Sequence, residues 1–333
     1  MGSLFRPSTR ILSPSKRTIS STDNNPELER NKAVALRFKK SQGTKDMPQV
    51  EKEVLAPHYN RIRGGNFHLA SNARGEGWPE PGMYLRTAFP DRVDIIERVI
   101  AEGDTVGLLF RLTSTHTGNL FGIPPTGRKV DVYEIALLRI VNGQMVEGWF
   151  MMDEAELLRQ LGARMPVRKD GRIIAPLIPD VGESGGVLAQ RHSAKMPLSP
   201  LDQQIVILAR SRSSAPSAAD RSPDYLRQRE AFQHLHDYGI ARGVGGETVR
   251  SALSNREDRI DRLVGEGEQS WMRFYVCGTH TSNLYGLPAT GKRVGVPAVE
   301  IARFAGGKLK ESWCFGDELG LLLQLGVPNL LLG

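Results

Sequence analysis

The chain is poor in cysteine and aromatic residues, and it has no long apolar run. Its 333 residues include two cysteines, Cys277 and Cys314, too few for a disulfide framework, and no Cys/His spacing typical of zinc. Apolar runs end after about eight residues, far short of the roughly 18 that a membrane-spanning helix needs. We therefore predict a protein without structural metal or membrane span, in a reducing compartment such as the cytoplasm.

Positive charge is in modest excess, with 44 Lys and Arg against 37 Asp and Glu. Such a balance can attract polyanions, but the aromatic residues are not interleaved with a basic stripe, which argues against nucleic-acid binding. The first 22 residues are rich in serine and arginine and contain no acidic residue. This pattern predicts a disordered basic tail over 1–25, with organelle import as the alternative.

The sequence repeats itself once. The segment Thr115-His116-Thr117-Gly118-Asn119-Leu120 recurs as Thr279-His280-Thr281-Ser282-Asn283-Leu284, and 280 − 116 gives an offset of 164. The match runs without gaps for about 60 residues and closes with Gln-Leu-Gly in both copies, so the repeating unit is a whole domain. We predict domains over 26–165 and 201–329, an irregular proline-rich linker over 166–200, and a mobile loop at 211–217.

Both copies follow one order of secondary structure. Apolar spacing predicts helices over 26–41 and 48–61, and short helices close the copies at 154–161 and 318–325. Runs of β-branched and aromatic residues predict strands, which in the first copy cover 93–101, 105–115, 129–141 and 145–152. Asn142-Gly143, and Gly306-Gly307 in the second copy, are typical of tight hairpins. Helices followed by an antiparallel meander and a closing helix indicate an α+β fold.

Specific motifs carry a resemblance to a known family. The string Thr-His-Thr-Gly-Asn-Leu-Phe-Gly-Ile-Pro-Pro-Thr-Gly-Arg-Lys at 115–129, with Asn142 to Trp149 and Asp153 to Gly162, resembles the SnoaL-like polyketide cyclase (ester cyclase) family. The second copy, at 279–293 and 307–326, resembles it too. The resemblance covers about residues 89–162 and 260–326.

The resemblance implies a fold and a chemistry. It implies two tandem NTF2-like cones, each with helices inside a curved antiparallel sheet that encloses an apolar pocket. It also implies cofactor-free acid/base chemistry on a small hydrophobic carbonyl compound, as in the ring closure of a polyketide ester. Because such proteins are usually homodimers, we expect the two copies to pair within one chain, which would then be a monomer.

The residues that carry catalysis in the family's aldol cyclases differ here. Aligned on the Gln-Leu-Gly ending, the principal aspartate on the last strand falls at Phe150 and Cys314. A histidine on the preceding strand falls at Ala136 and Glu300. Domain 1 therefore keeps neither group, and domain 2 keeps a titratable residue at one position.

Other polar residues are candidates for acid/base work. Strand alternation places Val132, Glu134 and Ala136 on one sheet face, which is the pocket face if the family's histidine position points inward. We predict a pocket lined by Val132, Ala136, Phe150 and Cys314. The predicted catalytic residues are Glu134, His116 and Asp153 in domain 1, and Glu300, His280 and Asp317 in domain 2.

Each candidate also has a structural interpretation. The two histidines could shape the loop that follows them, and the two aspartates could cap the closing helices rather than shuttle protons with a raised pKa. Either glutamate could lie at the surface. Trp149 and Trp313 should face away from the pocket and pack under the helices, and Cys314 could be a buried thiol rather than a nucleophile.

Three functions remain open from the sequence. The first is a cofactor-independent enzyme of secondary metabolism, a cyclase, isomerase or dehydratase. The second is a non-catalytic protein whose pockets bind a small molecule or serve as a scaffold, which the missing strand aspartate favours. The third divides the labour, so that one copy catalyses and the other supplies the domain interface.

Overall fold

The computed structural model describes residues 25–75, 81–168, 170–172, 182–195, 197–213, 217–244 and 249–332, without the side chains of 74, 75 and 81–84. The predicted basic tail lies outside the described residues except for Asn25, and residues 214–216 of the predicted loop lie outside them too. Within these ranges, no helix combines the length and the apolar character needed to cross a membrane.

The chain folds into two similar α+β domains, as predicted. Domain 1 contains α1 (Pro26–Lys40), α2 (Met47–Val54), β1 (Leu55–Arg63), α3 (Phe67–Gly75), α4 (Pro81–Ala88), β2 (Val93–Glu102), β3 (Thr105–Thr115), β4 (Lys129–Val141), β5 (Gln144–Met152) and α5 (Glu154–Leu161). Domain 2 contains β6 (Glu183–Ser184), α6 (Gly185–Ser193), α7 (Pro200–Ser213), β7 (Arg221–Arg229), α8 (Gln233–Ile240), α9 (Val249–Ala252), β8 (Leu253–Glu266), β9 (Gln269–His280), β10 (Arg293–Ala305), β11 (Lys308–Gly316) and α10 (Glu318–Leu325). A short 3-10 helix, Leu330–Leu332, follows.

The predicted meander forms the centre of each sheet. The strand orders are β1-β5-β4-β3-β2 and β6-β8-β9-β10-β11-β7, and consecutive strands from β2 to β5 and from β8 to β11 are antiparallel. The predicted hairpin turns are confirmed, because Asn142 (φ 51°) and Gly143 (φ 77°) both adopt the left-handed conformation, as do Gly306 and Gly307.

Three segments differ from the sequence prediction, and the shortest is 211–213 of the predicted loop, which forms the end of α7. The helix predicted over 48–61 ends at Val54, and residues 55–63 form β1, which pairs in parallel with β5, the last strand of the meander. Pro57 cannot donate a helical hydrogen bond, and β5 offers the segment an unpaired edge. The linker predicted as irregular contains α6, which Ser184 caps and whose Leu188 packs into the core of domain 2.

The two sheets pack against each other through the faces opposite their helices. Residues from both domains form one buried cluster there: Ile100, Leu109, Ile135, Leu137, Trp149, Met151, Val264, Trp271, Val299, Ile301, Trp313 and Phe315. Trp149 and Trp313 therefore face away from the cavity side, but the prediction that they pack under helices is wrong. The helices cover the other face of each sheet, so the tryptophan face is buried by the opposite domain.

Most positions in this interface are occupied by similar residues in the two copies, with two exceptions, and the first of them is Leu109, whose equivalent is Arg273. Trp271 is the equivalent of Gly107 at the offset of 164. A Cβ atom at Gly107 would lie 2.8 Å from Trp271 Cε3, so the indole fills the space that the glycine leaves. The two domains thus pair within the chain through an asymmetric contact.

Candidate active site

Domain 1 encloses a cavity of about 260 Å³ between its sheet and helices α1, α2 and α4. This is slightly below the range of about 300–1,000 Å³ that is usual for small-molecule sites. Its wall combines apolar and charged side chains: Phe38, Met47, Leu85, Phe89 and Phe150 with Lys39, Glu51, Arg61, Arg86, Arg92 and Glu134. An apolar wall with a few convergent charges suits an organic ligand that carries polar oxygens.

Glu134 on β4 is the predicted acid/base residue that lines this cavity. It is 5% exposed, and its Oε2 lies 3.4 Å from Nη2 of Arg92. Its Oε1 lies so close to the backbone of Gly65 that a methyl group on Gly65 would collide with it. In domain 2, Ala298 is the equivalent of Glu134, so this carboxylate is particular to domain 1.

Buried cations stand beside Glu134 on the cavity floor. Nζ of Lys39 lies 2.9 Å from Asp94 Oδ2 and 3.8 Å from the centre of the Phe110 ring. Arg92 donates from Nε to the other Asp94 oxygen at 2.8 Å. Burial lowers the pKa of Lys39 and outweighs the attraction of Asp94, which acts in the opposite direction. The floor can therefore offer hydrogen-bond donors to a developing negative charge.

Of the four residues predicted to line a pocket, Phe150 lines this cavity. The guanidinium of Arg61 lies 5.6 Å from the centre of its ring. Val132 and Ala136 are fully buried on the same sheet face, but they belong to the adjoining core and not to the cavity wall. The alternation predicted for β4 therefore holds, although its apolar residues are packed away from the cavity.

The corresponding place in domain 2 holds a buried ionic cluster. Glu300 is 1% exposed, with Oε2 2.7 Å from Arg212 Nη2 and Oε1 3.7 Å from Arg227 Nη2. Arg212 lies over Phe274, the equivalent of Phe110, as Lys39 does in domain 1. Cys314 pairs with Glu300 across the strands, and burial raises its pKa to about 12, so its thiol stays protonated.

His116 and His280 lie in the loop structure rather than in the cavity. Both are fully buried, and Nδ1 of His116 accepts a hydrogen bond from the backbone N–H of Thr126 at 3.3 Å. His280 and Thr290 repeat this contact at 3.2 Å. Burial lowers the pKa of each histidine, which favours the neutral imidazole. The His116 ring packs against Phe89, which separates it from the cavity.

Asp153 and Asp317 cap the closing helices and bind the opposite domain. The side chain of Asp153 accepts from the backbone N–H of Glu156, and that of Asp317 accepts from Gly320. Burial would raise the pKa of each aspartate, but the charges of a histidine and an arginine from the other domain outweigh it and lower the pKa. The raised pKa considered for a proton-shuttling aspartate is therefore wrong.

These aspartates form two reciprocal clusters across the domain interface. Asp317 Oδ2 lies 3.0 Å from Arg63 Nη2 and 2.8 Å from His68 Nε2. In the other direction, Asp153 Oδ2 lies 2.6 Å from Arg229 Nη2 and 3.0 Å from His234 Nε2. These partners were not predicted from the sequence, although an Arg-x4-His-Leu spacing occurs in both copies, at 63–69 and 229–235.

The second cluster brings three potential metal ligands together. Ligand atoms of Asp153, His234 and Glu318 all lie within 4.8 Å of one another. Glu318 already accepts from the backbone N–H groups of His234 and Leu235, and the Arg229 guanidinium contacts the Asp153 carboxylate. The carboxylate oxygens are thus already engaged, those of Asp153 by Arg229 and those of Glu318 by backbone N–H groups, and the three side chains form part of an ion-pair cluster.

The same cluster predicts that stability falls in alkaline solution. Burial would lower the pKa of His234, but Asp153 outweighs it and raises the pKa from 6.5 to about 9. A raised pKa stabilises the folded state below about pH 6.5, and this contribution is lost as the pH rises through about 9. We expect the free energy of unfolding to fall by up to about 3 kcal/mol over this interval.

Denaturant unfolding at several pH values measures this effect, with His234→Gln as the control that should flatten the curve. Glu318 is the neighbouring group that titrates nearest to this interval and its ionisation also lowers stability, so the two proteins are compared between about pH 8 and 9.5. Burial raises the pKa of Glu318 to about 7, and the lowered pKa of Asp153 matters only in acid. Equal slopes for both proteins would contradict the assignment.

Comparisons with known proteins agree with this architecture. A family model for SnoaL-like polyketide cyclase matches residues 80–161 and 246–325, once in each domain. The nogalonic acid methyl ester cyclase of Streptomyces nogalater is 31% identical over 110 residues, which are 32% of this chain and 80% of that protein. The aklanonic acid methyl ester cyclase of Streptomyces peucetius is 29% identical over 115 residues, 34% of this chain and 71% of that protein.

Solved structures also resemble the chain. One is described as a SnoaL-like polyketide cyclase from Jannaschia sp. CCS1 and is 27% identical, with a TM-score of 0.36. The match covers 42% of this chain and 97% of that one. The two methyl ester cyclases correspond in length to about one of the two domains.

Proposed function

Because the chain belongs to the SnoaL-like polyketide cyclase family, we propose that domain 1 is a cofactor-independent acid/base enzyme that closes a ring in a hydrophobic, polyketide-like carbonyl compound. The observation that carries the proposal is the carboxylate of Glu134 in the cavity wall, beside Arg92 and Lys39. The activities named for two relatives, both cyclases of polyketide methyl esters, support cyclisation over other acid/base reactions.

The reaction needs one base and one group that stabilises an oxyanion. Glu134 accepts a proton from the carbon next to a carbonyl, and the resulting enolate oxygen is stabilised by hydrogen bonds from Arg92 and Lys39. The enolate carbon then forms a bond with a second carbonyl carbon of the same molecule. The proton on Glu134 passes to the new alkoxide, so the carboxylate is restored and the product is an isomer of the substrate.

Glu134 does the work that the family's strand aspartate does elsewhere. It approaches the cavity from β4, whereas the family's aspartate position on β5 is Phe150. The ring of Phe150 adds apolar surface for an aromatic or polyenic substrate. In this proposal the ion-paired Glu300 has no catalytic role, so domain 2 serves as the structural partner of domain 1.

A second function has an observation in its favour. Phe150 in place of an aspartate, and a Glu134 already paired with Arg92, would suit a protein that binds a carbonyl compound without changing it. Such a protein would saturate with ligand and release it intact.

Incubation with the methyl esters of aklanonic and nogalonic acid tests the proposal directly. We expect a product of unchanged mass and altered retention in liquid chromatography with mass spectrometry. A comparison of metabolites between the native host and a strain that lacks the gene extends the test to other substrates. The uncyclised precursor should accumulate in the deletion strain. Unchanged esters together with an unchanged metabolite profile would favour the binding protein.

A further inference from the structure

Domain 2 contacts a short segment of domain 1 that forms part of the cavity wall. Asp317 receives hydrogen bonds from both ends of this segment, residues 63–69: from Arg63 Nη2 at 3.0 Å and from His68 Nε2 at 2.8 Å. All three side chains are nearly inaccessible to solvent. Charge-assisted hydrogen bonds of this kind, in a buried place, are strong and fix geometry.

The 63–69 segment in turn contacts the residues around the proposed base. Arg63 Nη1 donates to the backbone carbonyl of Phe150 at 2.8 Å, and Met152 N–H donates to the carbonyl of Gly65 at 3.2 Å. Met152 is the residue that pairs with Glu134 across β4 and β5. Gly65 itself lies against the Glu134 carboxylate, so a shift of this segment would change the space that the carboxylate occupies.

We propose that Asp317 is a positioning residue through which domain 2 holds the 63–69 segment, and with it Gly65, Phe150 and the carboxylate of Glu134, in the reactive arrangement. The role of the positioned carboxylate rests on the proposed function, whereas the contacts themselves do not. Domain 2 thereby contributes to the domain 1 site without touching the substrate.

The duplication supplies a matched control within the same chain. Asp153 holds the corresponding segment of domain 2, residues 229–235, by the same pair of contacts. There, however, Ala231 is the equivalent of Gly65 and Ala298 the equivalent of Glu134. A glycine thus stands where a carboxylate needs the space, and an alanine stands where no carboxylate is present. Asp317 therefore holds a segment of the domain that has a carboxylate at the Glu134 position, whereas Asp153 holds a segment of the domain that has an alanine at this position.

Hydrogen exchange measures the contact without a substrate. Asp317→Asn and Asp153→Asn keep the helix cap, because asparagine caps as well as aspartate, but they remove the charge that binds arginine and histidine. We expect Asp317→Asn to speed exchange about tenfold or more at the amides of His68, Leu69 and Met152. Asp153→Asn should leave these amides unchanged and should instead affect His234 and Leu235.

Turnover of aklanonic acid methyl ester measures the consequence for the site. We expect Asp317→Asn to lower kcat about tenfold to a hundredfold with little change in KM, because a small misplacement of a catalytic group affects the chemical step. Asp153→Asn should retain kcat within about twofold. If the two clusters contributed only to domain pairing, kcat would fall by the same factor in both variants, since each variant loses one equivalent cluster.

A second pair of variants covers the case in which an asparagine variant fails to fold by circular dichroism. His68→Gln and His234→Gln remove one contact from each cluster and should show the same difference in exchange and in kcat. Normal exchange at 63–69 in the folded Asp317 or His68 variant, or equal losses of kcat in both directions, would overturn the proposal. If the wild-type protein converts no ester, the proposed function fails, and the exchange result alone still decides whether Asp317 holds the segment.

Discussion

Replacement of Glu134 by glutamine is expected to lower kcat about 10²- to 10⁴-fold, the usual contribution of a general base. The amide is nearly the same size as the carboxylate and can still fit beside Gly65, so the cavity should keep its shape. KM should change little, because the lost interaction is made in the transition state rather than in the bound substrate. Steady-state kinetics with the polyketide ester that wild-type protein converts would measure both constants.

Glu300→Gln provides the comparison that assigns catalysis to one domain. This variant leaves Arg212 and Arg227 with a neutral partner, so some loss of stability is expected, but kcat should stay within about twofold in the folded protein. Assays well below the melting temperature separate the two effects. If Glu300→Gln abolished turnover and Glu134→Gln did not, domain 2 would be the catalytic domain and the proposal for domain 1 would be wrong.

The order of elements was predictable because its signals are local. Asn142-Gly143 sets a hairpin through two positive φ angles, and the closing helices begin at a capping aspartate and end at a glycine. The strand β1 was not predictable in this way. Its residues have no strong strand pattern, and they extend because the edge of β5 offers hydrogen-bond partners that a helix would leave unused.

The candidate site was predictable in part. Alternation along β4 placed Glu134 on the cavity face, because only two strand faces exist and the family's histidine position, at Ala136, indicated which one is inward. The partners of the two capping aspartates could not be read from either copy alone, since Arg63 and His68 belong to the domain that does not contain Asp317. Lys39 and Arg92 likewise meet only when α1 packs on the sheet.

The pairing of Gly107 with Trp271 is expected to carry the largest single contribution to the stability of the interface. Trp271 is 1% exposed, and removing a buried tryptophan side chain costs about 3–5 kcal/mol in the free energy of unfolding. Gly107→Trp should also be severely destabilising, because two indoles would compete for one space. Exchange of the two residues, Gly107→Trp with Trp271→Gly, should restore much of the loss, since one indole again fills the space that one glycine leaves.

Denaturant unfolding of the four proteins gives the coupling energy between the two positions. Restoration in the double variant would show that the contact is specified by complementary size, and losses that simply add would contradict this.

Complementary size also predicts the state of assembly. Two copies of domain 1 would meet with a hole at Gly107, and two copies of domain 2 would meet with colliding indoles, so the favoured pair is domain 1 with domain 2. Light scattering should therefore give the 36.8 kDa mass of one chain, and a stable dimer would contradict the argument.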